Sequence, residues 1–185
     1  MEGHHLILGE LQDIITGETL PDTLDERYRQ KLMRILLENK GYVRSDIQCR
    51  NKLNVQAGDN GAVVNVDMAV RINDKICMII KFAPGSLITR LRPAIATSRL
   101  LTSYQIPVVV VTNGEDADIL DGNTGDILNE GLNAIPSKSE LSGRFPEYVF
   151  TPVSEKRAEI ESRIVYAYEV DDACPCDTSV CRMKA

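Results

Sequence analysis

The chain has 185 residues, 43% hydrophobic and 26% charged, with a net charge of −6. That length suits one domain with a sizeable core. The acidic balance excludes binding to nucleic acid through overall charge, so any such contact needs a local basic patch. Tryptophan is absent and aromatics are 5%, which argues against a base-stacking platform. No apolar run reaches the roughly 18–20 residues that span a bilayer. The N-terminus lacks the basic region and long apolar core of a signal peptide. The expected location is the cytoplasm. Five cysteines, an odd number, do not describe a secreted disulfide framework.

Leu6, Ile7, Leu8, Leu11, Ile14 and Ile15 predict a short amphipathic helix stopped by Gly17. The adjacent His4 and His5 would point in different directions on it and read as a polar terminus. The next helix begins at Thr23, with Glu26 at capping-box spacing. Leu24, Tyr28, Leu32, Ile35 and Leu36 form its apolar stripe. Arg27, Arg29, Lys31 and Arg34 make the other faces basic, Asp25 is placed to pair with Arg29, and Gly41 ends the element. Glu26 has two readings, a capping side chain or an acid that reaches a metal. Glu38 reads as a surface acid.

Ser45–Gln56 contains strand-like stretches, and Asp59-Asn60-Gly61 is a turn signal. Val64, Val66, Met68, Val70 and Ile72 then alternate with polar or small residues, as in a half-buried strand. Asn73-Asp74-Lys75 is turn chemistry. Ile76–Ile80 is an apolar run that suits a strand covered on both faces. Leu87–Tyr104 reads as a helix with a break expected near Arg92, because of Pro93. Ile106–Thr112 is a buried β-branched strand, expected to pair in parallel with the strand ending at Lys81. Two short strands follow, around Ala117–Leu120 and Asp126–Leu128. Residues 129–152 are turn-rich, and Glu155–Val170 reads as a last helix with Ala158, Ile160, Ile164, Val165 and Tyr168 inward. The order predicts an α/β fold with a mixed sheet flanked by helices.

Two charged residues interrupt the apolar hairpin: Asp67 in its first strand and Lys81 at the end of its second. An acid on one strand and a lysine closing the next outline a metal-dependent phosphodiesterase site. Asp67 would hold a Mg²⁺-type ion and Lys81 would steady water or phosphate. Such a site normally has a second carboxylate two residues before the lysine, where this chain has Ile79. A buried Asp67–Lys81 ion pair is the competing reading. Arg27, Arg34, Arg90, Arg92 and Arg99 are the candidate contacts to nucleic acid.

DERYRQKLMRILLENKGY, VDMAVRINDKICMIIKF and PVVVVTNGEDADILDGNTGDIL occur in that order, with a crossover helix before the last. Together they resemble the N-terminal nuclease domain of type I restriction enzyme R subunits, in the PD-(D/E)xK, restriction-endonuclease-like superfamily. The resemblance covers roughly residues 24–128, and it implies a restriction-endonuclease-like domain over 1–150, with a C-terminal helix and tail over 151–185. It matches Asp67 to the metal-binding aspartate, Lys81 to the motif lysine, and Glu26 to an acid of the first helix. Ile79 stands where the family has Glu or Asp, and the crossover helix has Ala96, Thr97 and Ser98 where a Gln is frequent. Two functions follow. One is a degenerate, inactive or weakly active domain that binds nucleic acid or a protein partner. The other is a Mg²⁺-dependent DNA endonuclease that uses Asp67, Lys81 and a migrated acid, Glu26.

The tail carries Cys174, Cys176 and Cys181. Three thiolates this close are candidate ligands for Zn²⁺ or an iron–sulfur cluster, with a fourth ligand from elsewhere. Cys77 reads as a core residue.

Overall fold

The structure is a computed structural model that describes residues 6–171 and 180–183. The chain runs β1 (Glu10–Gln12), β2 (Thr19–Pro21), α1 (Leu24–Asn39), β3 (Ile47–Ala57), β4 (Asn60–Ile72), β5 (Lys75–Phe82), α2 (Ile88–Leu100), β6 (Val108–Thr112), β7 (Ala117–Asp121), β8 (Ile127–Glu130), α3 (Lys138–Arg144), α4 (Glu155–Tyr166) and β9 (Val180–Met183). Strands β3 to β8 lie in sequence order in one sheet, with β9 paired to β4 beside them, and β1 and β2 form a separate hairpin. Among the described residues only β5 and β6 pair in parallel, with Lys81 opposite Val111; the other pairs are antiparallel. The α/β class and the mixed sheet are as expected. Among the described residues no helix is long and apolar enough to cross a membrane.

Helices cover both faces. Leu32, Met33 and Leu36 of α1, with Leu141 of α3, share a core with Met78, Ile80 and Val110. Ala94, Ile95 and Ala96 of α2, with Val165 and Tyr166 of α4, share the opposite core with Ile79, Val109 and Val111. Successive residues of β5 and β6 therefore enter opposite cores, which is why both strands read as unbroken apolar runs. The turn between β4 and β5 places Asn73 and Asp74 at φ 46° and 64°, left-handed values that these short polar residues tolerate.

Several expectations need correction. The N-terminal segment is the β1–β2 hairpin, not a helix. Asp13 turns it, its Oδ1 accepting from the Ile15 and Thr16 amides at 2.7 and 2.9 Å, and Gly17 takes φ 76°. His4 and His5 lie outside the described residues. Helix α2 runs through Pro93 without a break; the proline falls soon after the helix start and removes one bond, to the Thr89 carbonyl. Residues 129–152 contain α3, opened by a capping box between Ser137 and Glu140. In α4 the buried residues are Glu161, Val165 and Tyr166, whereas Ile160 and Tyr168 are exposed. A π-helical turn, Ala167–Asp171, follows α4 directly.

Candidate functional site

Asp67 sits at a crossing point of the sheet. Ala62, Val64 and Val66 of β4 belong to the α2–α4 core, but Met68, Val70 and Ile72 belong to the α1 core. The strand thus turns over between Val66 and Met68. Opposite Asp67 on β3, between the pairs Cys49–Met68 and Asn51–Val66, Arg50 takes φ 53°. The other edge of β4 changes partner there too, from β9 at residues 61–64 to β5 at residues 68–72. Residues 65–67 are left facing a fork. Lys81 reaches into it and donates to the Asn65 carbonyl at 3.4 Å, and the Phe82 amide donates to Asp67 Oδ2 at 3.0 Å.

Around this fork the charges alternate in one continuous chain. Asp67 Oδ1 accepts from Arg29 Nε at 2.7 Å, and Asp67 Oδ2 lies 3.6 Å from Lys81 Nζ. Lys81 Nζ also donates to Glu169 Oε2 at 3.3 Å, from the π-helical turn. On the other side Arg29 Nη1 lies 3.7 Å from Glu26 Oε2. Glu26 Oε1 accepts from Gln30 and Arg50, both at 2.9 Å, and Arg50 Nη1 lies 2.8 Å from Asp13 Oδ2. Asp67, Lys81, Glu26 and Asp13 are all buried. The Arg29 guanidinium also lies over the Phe82 ring, 5.1 Å from its centroid.

The electrostatics follow from this packing. Burial alone would raise the Asp67 carboxyl, but Lys81 and Arg29 outweigh it and hold the group below its ordinary range. Burial would lower the Lys81 ammonium, yet Glu169 and Asp67 hold it above its ordinary value. Both ions of the fork therefore stay charged near neutral pH. Glu26 is not the reciprocal cap of α1. Thr23 Oγ1 does accept from the Glu26 amide at 3.1 Å, but the Glu26 carboxylate turns inward to the arginines. Arg29 likewise turns to Asp67 rather than serving as a surface partner for Asp25.

A divalent ion does not fit these side chains as arranged. Mg²⁺ wants near-octahedral oxygen ligands. Both Asp67 oxygens are taken, Oδ1 by Arg29 and Oδ2 by the Phe82 amide and Lys81. The guanidinium of Arg29 lies between Asp67 and Glu26, where a shared cation would have to sit. Ile79, fully buried in the α2–α4 core, offers only alkyl carbon. Among the described residues no group of three or more His, Cys, Asp or Glu side chains is placed to hold a metal. Cys174 and Cys176 lie outside the described residues, and Cys181 is in β9 with its backbone opposite Val63.

Asp67, Lys81 and Glu26 are therefore brought together, but through Arg29. Arg50, Asp13 and Glu169 join them without a sequence signal, apart from the helical spacing of Arg29 from Glu26. The candidate nucleic-acid arginines separate into groups. Arg27 and Arg34 line a cleft of about 720 Å³ between α1 and the N-terminal hairpin. Arg92 and Arg99 contact the fully buried Glu161 of α4 at 2.6 and 2.7 Å, where Arg157 joins them. Arg90 lies in the first turn of α2.

The motif that closes β6 also has a mechanical role. Thr112 Oγ1 donates to the Asp116 carbonyl at 2.6 Å and accepts from the Gly114 amide at 3.0 Å. Lys31 of α1 donates to the Gly114 carbonyl at 2.9 Å. A Cβ at Gly114 would lie 2.4 Å from the Tyr28 ring, so glycine lets the turn lie flat against α1.

A mixed sheet between two helical layers, with an aspartate and a lysine at a fork of its central hairpin, defines an α/β domain. The chain belongs to the Type I restriction enzyme R protein N terminus family, whose model matches residues 24–136. That span runs from the first residue of α1 to the segment before α3. No curated protein and no solved structure gives a match.

Proposed function

We propose that this chain is a restriction-endonuclease-like domain of the PD-(D/E)xK type with a degenerate site, one that binds DNA without cleaving it. The observation that carries the reading is Arg29, whose guanidinium occupies the gap between Asp67 and Glu26. Ile79 supports it, because an alkyl group replaces the acid that would draw a metal toward Lys81. Residues 1–150 would form the nuclease-like domain. Residues 151–185 would form its C-terminal helix and tail, with α4 against α2 and β3 and β9 against β4. The cysteine tail remains a candidate Zn²⁺ or iron–sulfur ligand set, read by elemental analysis. The free thiol of Cys77, buried in the core, suits a reducing cytoplasm.

The second reading is an active Mg²⁺-dependent endonuclease that uses Asp67, Lys81 and Glu26. One contact favours it: Glu169 brings a further carboxylate to within 3.3 Å of Lys81. Arg29 would first have to leave. Calorimetric titration of Mn²⁺ and Mg²⁺ into wild type and Asp67→Ala, with plasmid cleavage on the same samples, separates the two. The non-cleaving reading expects the same absence of binding heat in both proteins and no nicking. Metal binding that disappears in Asp67→Ala, with cleavage, would establish the endonuclease.

A further inference from the structure

We infer that the cleft between α1 and the N-terminal hairpin is a docking groove for the phosphate backbone of duplex DNA; this rests on the DNA-binding reading above. Arg27, Lys31 and Arg34 follow one another at helical spacing along α1, and Arg44 completes the rim. From Arg27 to Arg34 the helix rises about 10 Å, roughly three base steps along one DNA strand. Two acids also line the groove, Asp13 and Asp22. Asp13 is buried and answered by Arg50. Asp22 is engaged by Arg27. Beyond the Arg27–Asp22 pair the lining keeps Lys31, Arg34 and Arg44, with Arg34 3.8 Å from the exposed Glu38, so it is net positive in formal charge on a chain of charge −6.

Two other clefts among the described residues lack this character. The one between β3 and α4 is lined by Asp59, Glu155 and Glu159 against Arg163. The one beside Gln105 contains Arg99 and Arg157, both committed to Glu161. The α1 groove is also pre-formed. The Ile14 amide donates to Gln30 on α1 at 2.9 Å, and Asp13 fixes the next two amides. Little ordering is then needed on binding. Among the described residues no aromatic side chain lines it, which favours a charged backbone read without sequence over stacked bases as the occupant.

The test is fluorescence anisotropy with a short labelled duplex across about 50–200 mM salt. Wild type is compared with Arg34→Glu/Arg44→Glu and with a control reversal on exposed α4 positions, Lys156→Glu/Arg163→Glu. All three should have the same thermal midpoint, since these side chains are exposed. The groove variant should bind at least tenfold more weakly. Its log–log salt slope should fall by about two, near 0.9 for each phosphate no longer neutralised. The control should match wild type. Wild-type binding that the groove variant leaves unchanged would overturn the groove and leave the DNA-binding reading intact. No duplex binding by wild type would overturn both. Binding of a poly-glutamate peptide instead, abolished in the groove variant, would overturn the DNA assignment in favour of an acidic protein partner.

Discussion

Asp67→Ala distinguishes a structural carboxylate from a catalytic one by stability alone. The substitution leaves Arg29 and Lys81 near each other in a buried fork, where one carboxylate answered both. At an effective dielectric of about 20, each such ion pair is worth about 4 kcal/mol before desolvation. Truncating one partner of a buried ion pair costs about 3–5 kcal/mol, because the remaining charge stays buried. The Phe82 amide loses its acceptor as well, which adds about 1–3 kcal/mol if water does not replace it. A loss of about 3–5 kcal/mol is a large part of the roughly 5–15 kcal/mol that holds a typical domain. It should lower the melting temperature by about 6–20 °C, at 2–4 °C per kcal/mol for a chain of this size. Urea and thermal unfolding followed by circular dichroism at pH 7 reads it directly. Arg29→Met in the same background should restore part of the loss, since Lys81 keeps Glu169. An Asp67→Ala variant as stable as wild type, or more stable, would refute the reasoning. Functional acids are often held at a cost to stability, and that result would return Asp67 to the catalytic reading.

Two further outcomes follow from the same charges. Asp67, Asp13 and Glu161 all titrate below the ordinary carboxylate range in the folded chain. Their stabilisation is present above about pH 4 and is lost as pH falls through the depressed folded values. Acid unfolding of wild type should therefore steepen below pH 4, and Asp67→Ala should flatten that limb. Glu161→Gln removes the charge that gathers Arg92, Arg99 and Arg157 between α2 and α4. It should cost about 3 kcal/mol and raise amide exchange in α4, with α1 protected as before; unchanged exchange in α4 would refute a clamping role.

What the sequence disclosed depended on how local the determinant was. The parallel pairing of β5 and β6 was legible because both strands are apolar over consecutive residues and an intervening helix is long enough to cross over. The Asn73-Asp74 turn was legible because few residues accept its backbone angles. The N-terminal hairpin was not, because Leu11, Ile14 and Ile15 satisfy a helical period by chance, while one buried aspartate decides the turn. Glu161 was missed because a glutamate in an amphipathic helix ordinarily faces water with a neighbour such as Arg157, and its other partners, Arg92 and Arg99, lie far away in sequence on α2. Asp67 and Lys81 were visible as charges inside apolar strands. Arg29 looked like one more basic residue on a solvated helix face.

The positions of Arg29 and Ile79 are physically linked. Asp67 is fixed at the fork by the crossing of β4 and by the Phe82 amide, so it stays buried, and burial by itself disfavours its charged form. A carboxylate in that position needs positive charge. An acid at position 79 would add a second negative group on the face that carries Lys81, and the pair would draw in a divalent ion. With isoleucine there, the cations that Asp67, Glu26 and Glu169 meet among the described residues are Lys81, Arg29 and Arg50. The alternating chain, which starts at Asp13 and ends at Glu169, sets a cation beside every carboxylate without a metal. It also ties the hairpin turn at Asp13 through α1 and the central strands to the segment after α4. On this account, restoring the acid at position 79 alone would bury an unanswered charge and destabilise the fold. A metal site would return only if Arg29 were removed in the same molecule, so Ile79→Glu/Arg29→Ala should bind Mn²⁺ where neither single substitution does. Mn²⁺ binding by Ile79→Glu alone would show that Arg29 yields readily to an ion.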